Sequence, residues 1–138
     1  MWSTYRQIEL ELTESLFFND SIVEKVREFV QKLHECGFLF SMDDFGSGYS
    51  SFRLLMELDV VKLDRKFFVD IENEKVQFML MEIVKISHQI GAKVVAEGVE
   101  TQEQLSFVRE IGCDMVQGFV YSRPLPPNEF EKFIGLHM

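Results

Sequence analysis

The chain has 138 residues, 46% of them hydrophobic and 14 of them Phe, enough apolar mass for one domain with a substantial core. Fourteen basic against 23 acidic side chains leave a net charge of −9, which excludes a nucleic-acid polymer as partner, since phosphate binding needs a basic surface. No apolar run approaches the roughly 20 residues of a membrane span, and the N-terminus is no signal peptide. Cys36 and Cys113 lie far apart in no CxxC motif, which points to reduced thiols and a cytoplasmic location.

Strand-like and helix-like segments alternate along the chain. Ile8, Leu10 and Leu12 alternate with Gln7, Glu9 and Glu11, the period of a strand. Asn19, Asp20 and Ser21 offer N-caps, Ser21 with Glu24 matches a capping box, and Ile22, Val23, Val26, Phe29, Val30 and Leu33 form one apolar helix face that Gly37 ends. Phe38 to Asp43 reads as a buried strand, and it runs into a loop of glycine and small hydroxyl residues, Phe45 to Ser51. A short helix through Phe52, Leu54, Leu55 and Leu58 precedes a third strand, Val60 to Asp64. Glu74 to Ile90 predicts a long helix packed on more than one side, stopped by Gly91. A fourth strand, Ala92 to Ala96, leads to Glu97. Thr101 with Gln104 matches a second capping box, whose helix stops at Gly112. Asp114 to Gln117 is a fifth strand, and Pro126-Pro127 opens a terminal helix.

One pattern recurs. Gly37 leads through a strand to Asp43, Gly91 to Glu97 and Gly112 to Gln117, each a helix stop followed by a buried strand with a polar side chain at its far end. Short connections and near-continuous apolar strands predict parallel βα units. In such folds the C-terminal strand ends gather on one face, which carries the chemistry. Glu11, Asp43, Asp44, Lys62, Glu97 and Gln117 all fall at or near such ends.

This inventory limits the chemistry. Adjacent aspartates at the end of a buried strand cost desolvation energy unless a cation or a hydrogen-bond network holds them. With no His or Cys at these ends, Mg²⁺ or Mn²⁺ is favoured over zinc. Such ions activate a water and stabilise phosphoryl charge, with Lys62 holding the water or a phosphate oxygen. Each residue also has a plainer reading: Asp43 and Asp44 as caps, Lys62 as an edge-strand lysine reaching solvent, and Glu100 as an acid favouring the following helix.

The motifs Glu9-Leu10-Glu11-Leu12-Thr13-Glu14-Ser15, Asp43-Asp44-Phe45-Gly46-Ser47-Gly48-Tyr49-Ser50-Ser51, Lys62-Leu63-Asp64-Arg65, Val95-Ala96-Glu97-Gly98-Val99-Glu100-Thr101 and Gln117-Gly118-Phe119, then Ser122-Arg123-Pro124-Leu125-Pro126, resemble the EAL-domain family in order over nearly the whole chain. The resemblance implies an α/β fold of the TIM-like (β/α) barrel type and a Mg²⁺- or Mn²⁺-dependent phosphodiesterase that opens cyclic di-GMP to pGpG in bacterial second-messenger signalling. Position by position, Glu11, Asp43 and Asp44 resemble its metal ligands, Lys62 the lysine near the catalytic water, and Glu97 the acidic residue that serves as base or metal-site partner. Gln117 resembles the glutamine that completes the site, Glu14 the anchor of the glycine loop, and Glu100 a guanine contact. The loop Phe45 to Ser51 resembles the segment that couples metal binding to dimer formation, and its glycine and serine residues, Ser47 and Gly48 as the substrate-binding ones, are expected to follow a phosphate closely or to act as a mobile lid.

The family's Glu-Ala-Leu signature, a nearby substrate-binding arginine and a metal-binding asparagine have no counterpart in these 138 residues. About five strands are predicted where a complete barrel has eight in about 250 residues, so residues 1–138 are expected to form the C-terminal portion of one EAL domain, a partial barrel of about five parallel βα units. The connection from Leu54 to Lys62 is also about two residues short of the family's spacing. Open strand edges then predict pairing, as a homodimer or against a missing N-terminal segment. Three functions remain open: the phosphodiesterase, inactive as an isolated fragment; a non-catalytic module that binds cyclic di-GMP or serves regulation and dimerisation; and, more distantly, another Mg²⁺-dependent barrel enzyme with Lys62 as base.

Overall fold

The structure is a computed structural model that describes residues 8–13, 20–43 and 56–137. Its strands are β1 (Glu9–Thr13), β2 (Leu39–Asp43), β3 (Val60–Leu63), β4 (Lys93–Glu97) and β5 (Met115–Gln117). Its helices are α1 (Asp20–Glu35), α2 (Glu74–Gln89), α3 (Gln102–Glu110) and α4 (Pro127–His137), with a short 3-10 turn at Arg65–Phe68. All pairings are parallel in the order β1-β2-β3-β4-β5, so among the described residues the sheet is open, with β1 and β5 at its edges. The expected five-unit partial barrel is what the chain forms.

Strand periodicity divides the sheet into two faces. Leu10, Leu12, Phe40, Met42, Val61, Leu63, Val94, Ala96 and Val116 point one way and pack with Val23 and Val30 of α1, Leu80 and Val84 of α2, and Leu105 and Val108 of α3. Glu11, Ser41, Asp43, Val60, Lys62, Val95, Glu97 and Gln117 alternate with them and point the other way. In a closed barrel that second face is the interior.

Gly37, Gly91 and Gly112 stop their helices with φ of 91°, 86° and 86°, the left-handed conformation that a C′ glycine supplies cheaply. Thr101 and Gln104 form the full reciprocal capping box at α3. At the other expected box α1 already runs at Asp20, so Ser21 lies inside its first turn, and Glu24 pairs with Arg27 at 3.4 Å. The long helix also differs from expectation. α2 buries Leu80, Val84 and Ser87 but leaves Phe78 65% exposed along with Met79 and Ile86, because among the described residues only its sheet side is covered. Of the short helix expected through Phe52, Leu54, Leu55 and Leu58, residues 52–55 lie outside the described residues, and the described end is a turn at Met56 and Glu57 that leads through buried Leu58 toward β3.

The N-terminal edge of the sheet carries one motif twice. The Asp59 carboxylate, just before β3, accepts from the Phe40 backbone N–H and meets His34 Nε2, both at 2.8 Å, while the Asp59 N–H donates to the Phe40 carbonyl at 2.9 Å. Asp114, just before β5, repeats this with Val94 N–H at 2.7 Å, His88 Nε2 at 2.8 Å and the Val94 carbonyl at 2.9 Å. Each clamp fastens two strands at points three residues below a pair of expected site residues, Asp43 with Lys62 and Glu97 with Gln117.

Candidate active site on the C-terminal strand ends

Parallel pairing sets the site's layout. Glu11 lies opposite Ser41, and Ser41 opposite Val60; Lys62 lies opposite Val95, and Glu97 opposite Gln117. Lys62 stands on β3, the middle strand, with its side chain 12% exposed, so it is no edge-strand lysine reaching for water. Its ammonium bonds the Glu11 carboxylate on β1 and lies 3.2 Å from Glu97 Oε1 on β4. One cation thus gathers carboxylates from strands on both sides of it.

Asp43, at the end of β2, is a hydrogen-bonding neighbour of the Glu97 carboxyl. Burial raises the Glu97 carboxyl above its ordinary range and the Asp43 charge adds to the rise, against the opposing pull of Lys62. Lys62 behaves differently: burial lowers its pKa, but hydrogen bonds to Glu11 and Glu97 outweigh burial and hold the ammonium above its usual value. The result is a fixed cation beside a carboxyl that holds its proton more tightly than a surface acid. That combination suits proton transfer next to developing negative charge.

The structure brings Glu11, Asp43, Lys62 and Glu97 together. Gln117 sits beside Glu97 in register but on the exposed edge strand. Glu100 stands apart, its carboxylate 3.4 Å from the exposed Arg65 guanidinium and its backbone N–H bonded to Gln104 Oε1 at 2.8 Å. Asp44, Glu14, Ser47 and Gly48 lie outside the described residues. A hard divalent cation fits the chemistry of this face, whose donors are carboxylate oxygens and where the Asp43 charge adds to the rise of the Glu97 carboxyl. Among the described residues no three His, Cys, Asp or Glu side chains converge as a group that could hold a metal ion.

Sequence reasoning did not single out the supports. Gly98, at φ 69°, passes so close to Arg65 that a Cβ there would lie 2.4 Å from Arg65 Cβ. At Gly118 a Cβ would lie 2.1 Å from the Val99 carbonyl oxygen. Gly98 lets the segment after β4 close on the one after β3, and Gly118 lets the segment after β5 close on the one after β4; their place directly after Glu97 and Gln117 is the signal that marks them. Arg123 stacks over Phe119, 4.8 Å from the ring centroid, beside a cavity of about 280 Å³ that reaches Gln117.

The EAL domain model matches residues 3–124. The chain belongs to the EAL domain family. It is 41% identical over 131 residues to the cyclic di-GMP phosphodiesterase NbdA of Pseudomonas aeruginosa, a match covering 92% of this chain and 16% of that relative. The solved PaMucR phosphodiesterase in its c-di-GMP complex superimposes with a TM-score of 0.79 at 34% identity, over 91% of this chain and 51% of that one. BlrP1 of Klebsiella pneumoniae, in a manganese and cy-diGMP complex, gives a TM-score of 0.75 at 32% identity over 86% of this chain and 31% of that one. The chain therefore spans about half the length of PaMucR and a smaller share of the others. No described helix of this EAL domain is long and apolar enough to cross a membrane.

Proposed function

We propose that this EAL domain hydrolyses cyclic di-GMP to pGpG with Mg²⁺ or Mn²⁺. The observation that carries the reading is Lys62, held between Glu11 and Glu97 and next to Asp43 on the rim where parallel sheets place their chemistry. Glu11 and Asp43, with Asp44 following in sequence, are the residues that would hold the cation. When bound, a divalent cation supplies an acidified water and a counter-charge for the phosphoryl oxygens. Lys62 orients the attacking water or a non-bridging phosphate oxygen. Glu97 takes the water's proton as the new P–O bond forms and the bond to the 3′ oxygen breaks, that oxygen collecting its proton from solvent. Gln117 fixes the site's far side, Glu100 contacts a guanine edge, and Glu14 anchors the loop carrying Ser47 and Gly48.

We place residues 1–138 as the C-terminal portion of one such domain in the cytoplasm, with the open edges of β1 and β5 pairing in a homodimer or with further strands of a longer chain. A monomer in light scattering that unfolds cooperatively would overturn the pairing. The function is tested by following pGpG from cyclic di-GMP with Mn²⁺. Lys62→Ala and Glu97→Gln are each expected to lower turnover about 10²-fold or more in a complete domain that contains these residues, and a complete domain without turnover would sink the enzymatic reading. The open sheet favours one alternative, a non-catalytic binding module; calorimetric binding of cyclic di-GMP with no Mn²⁺-dependent product would select it.

A further inference from the structure

Ser41 is fully buried on the site face, and among the described residues its hydroxyl has no hydrogen-bond partner. It sits on β2, between β1 and β3, level with Glu11 on one side and Val60 on the other. The Lys62 side chain rises from β3 and bonds Glu11 on β1, so it must cross β2. Parallel strands lie about 4.8 Å apart, and the crossing therefore runs over the β2 residues that point into the site, Ser41 and Asp43. Asp43 engages Glu97, which leaves Ser41 as the small residue beneath the lysine stem. A buried hydroxyl without a partner costs free energy that Ala at the same place would not, so size is what this residue contributes.

We infer that Ser41 is a positioning residue: its small side chain clears the path by which Lys62 spans β2 to join Glu11 and Glu97. A Leu at position 41 would add a branched side chain to a filled space and lift the lysine stem off the strand. The assignment rests on the site reading above for its catalytic meaning, but the lysine's geometry is measurable without turnover.

The test combines thermal unfolding with ¹⁵N NMR of the lysine ammonium groups, the Lys62 signal being assigned by its loss in Lys62→Gln. Ser41→Ala should keep the salt-bridged Lys62 signal, unfold at the same or a higher temperature, and retain turnover within about 2-fold. Ser41→Leu should lose that signal and melt about 5 °C lower. Adding Lys62→Ala to Ser41→Leu removes the colliding stem, so the double variant should melt higher than Ser41→Leu alone, an outcome readable even where the single variant is poorly folded. Loss of the signal in Ser41→Ala would show that the hydroxyl matters rather than its size. A Ser41→Leu protein that keeps the signal, or a double variant no more stable than Ser41→Leu, would equally overturn the inference. Absence of turnover in the complete domain would sink the proposed function while leaving these readouts intact.

Discussion

At the N-terminal edge of the sheet each clamp aspartate, Asp59 or Asp114, has one histidine and one backbone N–H to itself. At the C-terminal edge of the same strands, Glu11 and Glu97 share a single ammonium, and Asp43 lies against Glu97. The two edges differ in sign as well as in order. Backbone and histidine contacts hold the Asp114 carboxyl below its ordinary range despite some burial, whereas burial and Asp43 hold Glu97 above its own. Charges that are met locally fasten strands together; acidic groups held against one another on a partly buried rim mark where an external cation or substrate is wanted.

The largest stability effect should come from breaking the ordered edge. Asp59→Ala leaves the N–H of fully buried Phe40 without its acceptor, and Asp114→Ala does the same to Val94. Each is expected to cost about 1–3 kcal/mol in urea unfolding. The two clamps share no partner, so the double variant should lose close to the sum. His34→Gln and His88→Gln leave the backbone bond in place and should cost less. If the aspartate variants unfold like the unaltered chain, the clamps are incidental and the contrast between the edges collapses.

Much of this layout is written locally in the chain and some of it is not. Gly37, Gly91 and Gly112 were readable because a left-handed helix stop needs glycine where it stands. The rim of Glu11, Asp43, Lys62 and Glu97 followed from parallel topology, which forces the C-terminal strand ends onto one face. The clamps were not readable, since His34 and Asp59 lie 25 residues apart and His88 and Asp114 lie 26 apart, with no local signal of pairing. Ser41 reads as one more strand residue, since nothing local in the sequence shows that the Lys62 side chain joins Glu11 two strands away. α2 misled for the opposite reason: apolar residues all round it predicted burial on several sides, yet what covers Phe78 is not a property of the helix. The start of α1 at Asp20 differs from the Ser21 reading by one residue, the range over which adjacent cap candidates compete.

Relieving the crowded edge should have the smaller effect, in the opposite direction. Glu97→Gln removes one of two adjacent acids while Lys62 keeps Glu11, so the variant should unfold at a slightly higher temperature near neutral pH even as turnover falls, the balance expected where a site is assembled at the expense of stability.

The pH dependence separates the two edges most finely. Glu97 binds its proton more tightly folded than unfolded, so the native state carries the extra proton; stability falls as pH rises from the unfolded value, about 4.3, through the raised folded one. Asp114 has the reverse sign. Its folded pKa is depressed, so its contribution is present above the unfolded value, about 3.9, and is lost as pH falls through the folded one. Urea unfolding against pH should therefore show a decline above about pH 4.3 that Glu97→Gln flattens, and an acid-side decline below about pH 3.9 that Asp114→Asn flattens. If Glu97→Gln leaves the upper slope unchanged, the carboxylates on the rim are not in conflict, and the crowding at the C-terminal edge is not what drives its demand for a cation.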